Sequence, residues 1–493
     1  MANRTSAEGA GTAVETYSNF IAGEWREPQG GGTVDVVSPS DGQVFAHIAR
    51  GNAEDIDQAV AAARNAFEEG DWGRLSAVER GRVLMKLGEL ITQNANDLAA
   101  LEARDTGKPM GQARADMVAA ARYFEYYGAA ADKVHGDTIP FMEGYSVTTL
   151  REPHGVTGHI IPWNYPAQMF GRTLAPALAM GNATVLKPAE EACLTPLRIT
   201  ALAQEAGFPG GAINVVTGLG EEAGAALSSH SDVNFLAFTG SPEVGELIQT
   251  SAAGNHIGCV LELGGKSPQI IFADADLEAA LPVVLNAIVQ NGGQTCSAGS
   301  RVLIERSIFD DVVDVLKDRF VELTAGPHDA DLNCGGLISA GQAKRVEGFI
   351  ESAEREAIPL LARGKIADGA PEGGYYVAPA LFGPVPEESE LANEEVFGPV
   401  LSVLAFEDEA DAVRLANATD YGLVAGIWTR DAGRLMRVAK RVKCGQIFLN
   451  GYGAGGGIEL PFGGVKKSGH GREKGFEAML EFCATKTLVF NHG

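Results

Sequence analysis

Hydrophobic and polar residues recur with two different periods along this chain, and the changes of period divide it. Between residues 20 and 50, short alternating runs such as Thr33 to Val37 lie between turn signals at Gly30 to Gly32 and Pro39 to Gly42, which predicts small strands. From Ala53 to Phe67, and again from Ala77 to Arg104, alanine-rich segments carry Asp, Glu and Arg on one side, so amphipathic helices are expected. A third helix is predicted from Gly111 to Ala131, with Tyr123, Phe124, Tyr126 and Tyr127 near its end as core or subunit contact. The stretch from His135 to Arg151 alternates and is broken by Pro140 and Gly144, the pattern of a projecting hairpin that can pair with another subunit.

Past the hairpin the order becomes strand, helix, strand: Val156 to Ile161, Leu174 to Met180, Ala183 to Leu186, Thr195 to Ala206 and Ala212 to Val216. This alternation predicts an α/β protein with a parallel, doubly wound sheet, in which ligands sit beyond the carboxyl ends of the strands. The loops after Ile161, Leu186, Val216 and Phe238 are therefore the places to look. Residues 259 to 272 read as two buried strand pieces around Gly264 and Gly265, Leu281 to Val289 as a buried helix or strand, and Val302 to Ile304 as a short buried strand. Residues 301 to 480 repeat the α/β alternation and end in a glycine-rich segment, Gly451 to Gly457.

Composition narrows the class. A chain of 493 residues exceeds what one core usually supports, so two or three domains are expected. With 39 Lys and Arg against 64 Asp and Glu, the net charge of -25 repels phosphate backbones and anionic lipid, which argues against nucleic acid and membrane as partners. The six cysteines form no CxxC pair and no His stands at metal-ligand spacing, so free thiols and no metal site are expected. Residues 1–16 read as a disordered tail without the features of a secretory signal or transit peptide, and the cytoplasm is the expected location.

Candidate chemistry gathers in the loops. In QNGGQTCSAGS, residues 290 to 300, the thiol of Cys296 lies in a glycine-punctuated turn and reads either as a buried structural cysteine or as a nucleophile. PWNYP at 162 to 166 fixes Asn164 between prolines, as an Asx turn or as a rigid amide donor for an oxyanion. Glu262 ends an apolar strand; if buried, desolvation raises its pKa toward the range of a base, and on an edge strand it is merely exposed. Lys187 and Glu190 in KPAE leave a strand end together, as a solvated pair or as a grip on ribose hydroxyls. Ser241, after Phe238, Thr239 and Gly240, opens a helix as a simple cap or as a phosphate site. TGLGEEAG, with Gly220, is one residue longer than the dinucleotide fingerprint.

PWNYP, KPAE, FTGS, LELGGK, GQTC, EEVFGP (394 to 399) and PFGG (461 to 464), in that order, resemble the NAD(P)-dependent aldehyde dehydrogenase superfamily from about Tyr17 to the C-terminus. The resemblance implies a Rossmann-like NAD-binding domain (17–130 and 154–262), a catalytic domain (263–465) and oligomerisation elements (131–153 and 480–493) of a homodimer or homotetramer. It implies that Cys296 attacks the aldehyde, Asn164 and the Cys296 N–H hold the oxyanion, and Glu262 activates the water that hydrolyses the thioester. Cofactor contacts implied are Ile161, Pro162, Trp163, Lys187, Glu190, Gly220, Phe238, Thr239, Gly240, Ser241, Leu263, Glu395 and Phe397, with Glu190 favouring NAD over NADP.

Two positions depart from the common family pattern. Thr173 stands where many members have Lys, and Arg172 where members with apolar tunnels often have Trp. Succinate-semialdehyde dehydrogenases resemble this chain at Arg172 and in IELPFGG, and in them the arginine grips a carboxylate. The second arginine expected six residues before the nucleophile is Gln290. The expected substrate is thus a semialdehyde held by Arg172, or an aromatic or aliphatic aldehyde against Tyr165, Met169 and Phe462, with Gln290, Thr295 and Ser297 beside it. The rivals are a CoA-acylating dehydrogenase, against which Glu262 argues, and a non-catalytic NAD-binding structural protein.

Overall fold

The computed structural model describes residues 14–453 and 457–493. Its first sheet has eight strands in the order Gly469–His470, Gly258–Glu262, Phe235–Thr239, Val156–Ile161, Ala183–Pro188, Ile213–Val215, Asn19–Ile21 and Glu24–Arg26. The five strands from Gly258–Glu262 to Ile213–Val215 are parallel. Sequence order runs away from Val156–Ile161 in both directions, so a switch point lies between it and Phe235–Thr239. Strand Ala183–Pro188 is buried along its whole length, Thr184 and Lys187 included.

A second sheet has seven strands in the order Leu360–Arg363, Ala380–Phe382, Val400–Phe406, Arg301–Glu305, Pro268–Ile271, Val424–Trp428 and Gln446–Leu449, parallel except at the first pair. The two strand pieces expected at 259 to 272 therefore belong to different sheets, Gly258–Glu262 to the first and Pro268–Ile271 to the second. The chain crosses from one to the other through residues 263–267.

Period-based expectations hold where the periodicity is long. The first helix spans Ala53–Glu68 and opens with a capping box between Asn52 and Asp55. The segment Ala77 to Arg104 is two helices, Ala77–Gln93 and Ala95–Thr106, rather than one. Asn94 divides them: its backbone N–H and its Nδ2 both return to the Leu90 carbonyl, at 3.1 and 2.8 Å, closing the first helix. The helix Met110–Ala130 follows, and Leu281 to Val289 is the later part of helix Leu277–Val289.

The projecting hairpin is present as Thr138–Ile139 and Tyr145–Pro153, and Tyr145–Pro153 pairs along its length with the C-terminal strand Cys483–Asn491. On this three-stranded sheet and its turn, Phe141 and Phe490 are 60% and 65% exposed. Of the expected tail, residues 1–13 lie outside the described residues, while Glu15 and Thr16 belong to a strand, Glu15–Tyr17, paired with Val44–Ala49. Of the glycine-rich segment, residues 454–456 lie outside the described residues.

Candidate active site

The switch point carries the loops that matter. Strand Val156–Ile161 runs into Pro162, Trp163 and Asn164, and Phe235–Thr239 into Gly240 and Ser241. Ser241 caps the helix Pro242–Gly254, its Oγ accepting from Val244 N at 3.3 Å, so a helix N-terminus faces the same crevice. Between these loops and the second sheet lies a cavity of about 410 Å³. Among the residues lining it are Pro162, Trp163, Asn164, Thr239, Gly240, Ser241, Glu262, Leu263, Cys296, Glu395 and Phe397. Trp163 and Phe397 meet edge to face with centroids 5.4 Å apart.

Cys296 follows a left-handed turn: Asn291, Gly292 and Gly293 have φ of 51°, 60° and 75°. A Cβ on Gly293 would collide with the Gly398 carbonyl, and one on Gly265 with the Cys296 carbonyl, so both glycines are needed for the loop to seat. The thiol is partly exposed to the cleft. Desolvation pushes its pKa up to about 11, the Arg172 charge opposing and Glu262 adding to the rise.

Asn164 is buried, and its Nδ2 donates to the Gln294 carbonyl at 2.9 Å, which ties it to the loop that carries Cys296. Glu262, at the end of its strand, is also buried. Burial holds its carboxyl well above the usual range; Arg172 opposes the shift and Glu473 adds to it. Glu395 accepts from Gly265 N at 2.8 Å, and burial lifts it to about 7 against that hydrogen bond. A Cβ on Gly264 would strike the Glu395 carboxylate.

Ile161, Lys187, Glu190, Gly220 and Phe238 do not line this cavity; Ile161 ends its flanking strand, Lys187 and Glu190 stand at the end of the next strand, and Gly220 beyond the one after. Ile160 and Ile161 are in register with Lys187 and Pro188. Glu190 is ion-paired with Lys187 at one oxygen and accepts from Gly220 N at 3.2 Å at the other. Burial works against its ionisation, yet Lys187 and the backbone N–H groups keep it below the usual carboxylate range. KPAE and TGLG are thereby brought together.

On the other side of Cys296 a much smaller cavity, about 30 Å³, is lined by Tyr165, Gln168, Met169, Arg172, Gln290, Thr295, Ser297, Phe462 and Lys474. Tyr165 Oη meets Thr295 Oγ1 at 2.8 Å and accepts from Gln290 Nε2 at 3.2 Å. Arg172 is buried between two carboxylates: its Nη2 lies 3.3 Å from Glu262 Oε2, and its Nε contacts Glu473. The Arg172 guanidinium and the Lys474 ammonium lie 4.5 and 5.2 Å from the Phe462 ring centre. Thr173 is bonded to His159 at 2.7 Å in the interior and lines neither cavity.

Sequence reasoning missed Glu473 and Lys474, which the exchange of backbone hydrogen bonds between Phe462 and Glu473 brings to the site. It also missed Gln342 and Arg345, which reach the backbone of Phe397 and Glu395 at 2.8 and 2.9 Å. GREKG at 471 to 475, which follows PFGG after VKKSGH, was the available signal for the first two; no local pattern marks the others.

A dinucleotide-type crevice here opens onto a thiol, an amide donor and a buried carboxylate. The comparisons make this specific: the aldehyde dehydrogenase family model matches residues 25–488, and the chain belongs to that family. It is an NAD-dependent aldehyde dehydrogenase. It is 42% identical over 473 residues to aldehyde dehydrogenase family 2 member B4, mitochondrial, of Arabidopsis thaliana, covering 95% of this chain and 87% of that protein. Identity to the mitochondrial benzaldehyde dehydrogenase of Antirrhinum majus is 40% over 480 residues, 97% of this chain and 89% of that one. The crystal structure of a candidate aldehyde dehydrogenase from Burkholderia cenocepacia superposes with a TM-score of 0.96 at 61% identity, covering 97% of this chain and all of that one. An NAD+ complex of the Bacillus cereus enzyme gives 0.94 at 40% identity, covering 97% of each.

Proposed function

We propose that the enzyme oxidises an uncharged aldehyde, aromatic or aliphatic, to the free acid, with Cys296 as nucleophile. The observation that carries this is the convergence of Cys296, Asn164 and Glu262 on one cavity at the switch point. With its pKa pushed up to about 11, the thiol must give up its proton before attack, and Glu262, whose own carboxyl pKa is raised by burial, is the acceptor in the same cavity. The thiolate adds to the aldehyde carbon, and Asn164 Nδ2 with the Cys296 N–H receives the oxyanion. The Ser241 helix would hold the pyrophosphate of NAD, Glu395 its nicotinamide ribose and Glu190 its adenosine ribose, and the cofactor would supply the hydride acceptor. Once Glu262 has passed the thiol's proton to solvent, it takes a proton from the water that hydrolyses the thioester on Cys296, which releases the acid and the thiolate. A base poised for water supports hydrolysis over transfer to CoA.

The preference for NAD over NADP rests on Glu190, whose ionised carboxylate would repel a 2′-phosphate. The uncharged substrate rests on Arg172: held by Glu262 and Glu473, it is already compensated and offers a third carboxylate little net attraction. Semialdehydes remain the second reading because Lys474 stands against Phe462 in the same pocket. Initial rates with NAD and NADP over benzaldehyde, hexanal and succinate semialdehyde decide. A kcat/KM for the semialdehyde above the others, lost in Arg172→Ala, overturns the uncharged reading.

The same proposal includes association through the hairpin and C-terminal strand, supported by exposed Phe141 and Phe490 and measurable as mass in solution. Six free cysteines support a reducing compartment such as the cytoplasm, although several relatives are named mitochondrial. Among the described residues, no helix is long and apolar enough to cross a membrane.

A further inference from the structure

Lys108 follows the left-handed Gly107 at the end of helix Ala95–Thr106, and its side chain is wholly buried. Its Nζ donates to Glu102 Oε1 at 3.0 Å, to Asp116 Oδ2 at 2.5 Å and to the Asn164 carbonyl at 3.0 Å, which uses all three protons. The second oxygens of the two carboxylates reach the same segment: Glu102 Oε2 accepts from Ala167 N at 3.1 Å and Asp116 Oδ1 from Gln168 Nε2 at 2.7 Å. One turn before Asp116, Gln112 holds the other catalytic segment, its Oε1 accepting from Asn291 N at 2.8 Å. Gln112 Nε2 also donates to Tyr165 Oη at 3.2 Å. Asn291 Nδ2 closes the circuit by donating to the carbonyls of Asn164 and Gln294 at 3.0 and 3.2 Å.

We infer that the buried Glu102, Lys108 and Asp116 and the half-buried Gln112 form a polar frame that fixes the Asn164 amide relative to the Cys296 loop, and so act as positioning residues for the oxyanion. The inference rests on the oxyanion role proposed for Asn164. An apolar filling of this space would be as stable as a buried ion cluster, but it offers no directional donors. Here Lys108 and Asn291 both bind the carbonyl of the residue whose side chain must meet the oxyanion. A displacement of about 1 Å at such a donor costs on the order of 100-fold in rate. None of the four touches the thiol, so the frame acts on geometry alone.

The decisive comparison uses Lys108→Met, Gln112→Leu and Asn164→Ala with saturating NAD. The NADH burst is followed with benzaldehyde, Cys296 alkylation with iodoacetamide, and NAD affinity by fluorescence titration. Alkylation displaces iodide and forms no oxyanion, so it reports the thiol and the fold but not the donor. In both frame variants the burst is expected to slow ~10- to 100-fold, with alkylation and NAD affinity unchanged. Equal losses in burst, alkylation and NAD affinity would reduce the frame to a structural element and overturn the inference. If Lys108→Met is recovered unfolded, Gln112→Leu, which strands no buried charge, decides by the same criterion. An unchanged burst in Asn164→Ala removes the oxyanion reading itself, whereas a slow burst there beside normal bursts in the frame variants removes the frame alone.

Discussion

The two sides of Cys296 are built on opposite principles. Toward the first sheet the thiol opens on a roomy cleft whose walls are strand ends, a helix N-terminus and close-packed glycines. Toward Phe462 it opens on a cavity more than tenfold smaller, walled by Arg172 and Lys474, with the carboxylates of Glu262 and Glu473 against the guanidinium. In the cleft, recognition comes from backbone geometry that follows directly from strand order. In the small pocket, charges from distant parts of the sequence cancel one another, so no single residue predicts what is bound.

The largest test of this contrast is Cys296 itself, because both sides converge on it. Cys296→Ser is expected to lower kcat by on the order of 10³-fold or more with little change in NAD binding, measured by steady-state rates and titration. Glu262→Gln separates the two half-reactions. The NADH burst is expected to persist at slowed onset while turnover falls roughly 10²- to 10⁴-fold, so that thioester accumulates and is seen as an acyl mass on the protein. Equal loss of burst and turnover would contradict the assignment of Glu262 to water.

Arg172→Leu probes the small pocket. The guanidinium stabilises both the Cys296 thiolate and the Glu262 carboxylate, so its removal raises both pKa values. The pH profile of Cys296 alkylation should move to higher pH, and alkylation at pH 8 should slow about tenfold for every pH unit that the profile moves. An unmoved profile would show that Arg172 is not coupled to the thiol. The smallest effect belongs to the far end of the cleft: Glu190→Gln should narrow the NAD to NADP ratio of kcat/KM by about tenfold and leave kcat with NAD nearly unchanged.

Local pattern made much of this legible in the sequence. Helix Ala53–Glu68 follows from its apolar spacing, and the parallel strands at 156–161 and 183–188 from the alternation of strand and helix. The loops after Ile161 and Phe238 do meet Cys296 and Glu262 in one cavity, whereas the loop after Leu186 stays outside its lining. What stayed hidden depends on partners remote in the chain. Arg172 reads as an available cation until Glu473, some 300 residues on, is placed against its Nε. Lys108, in an unremarkable TGKP, becomes meaningful only when the Asn164 carbonyl is found at its ammonium. The break at Asn94 is a competition between side chain and helix that composition does not decide.

The five-residue crossing at 263–267 places the base and the thiol on different supports. Glu262 closes a strand of one sheet, whereas Cys296 precedes a strand of the other, and Gly265 presses on the Cys296 carbonyl between them. Activity therefore reports the seating of one half of the molecule on the other, like a latch between two intact blocks. In a urea titration, aldehyde oxidation is expected to vanish before the far-ultraviolet dichroism declines; coincident loss would show that the two sheets unfold as one unit.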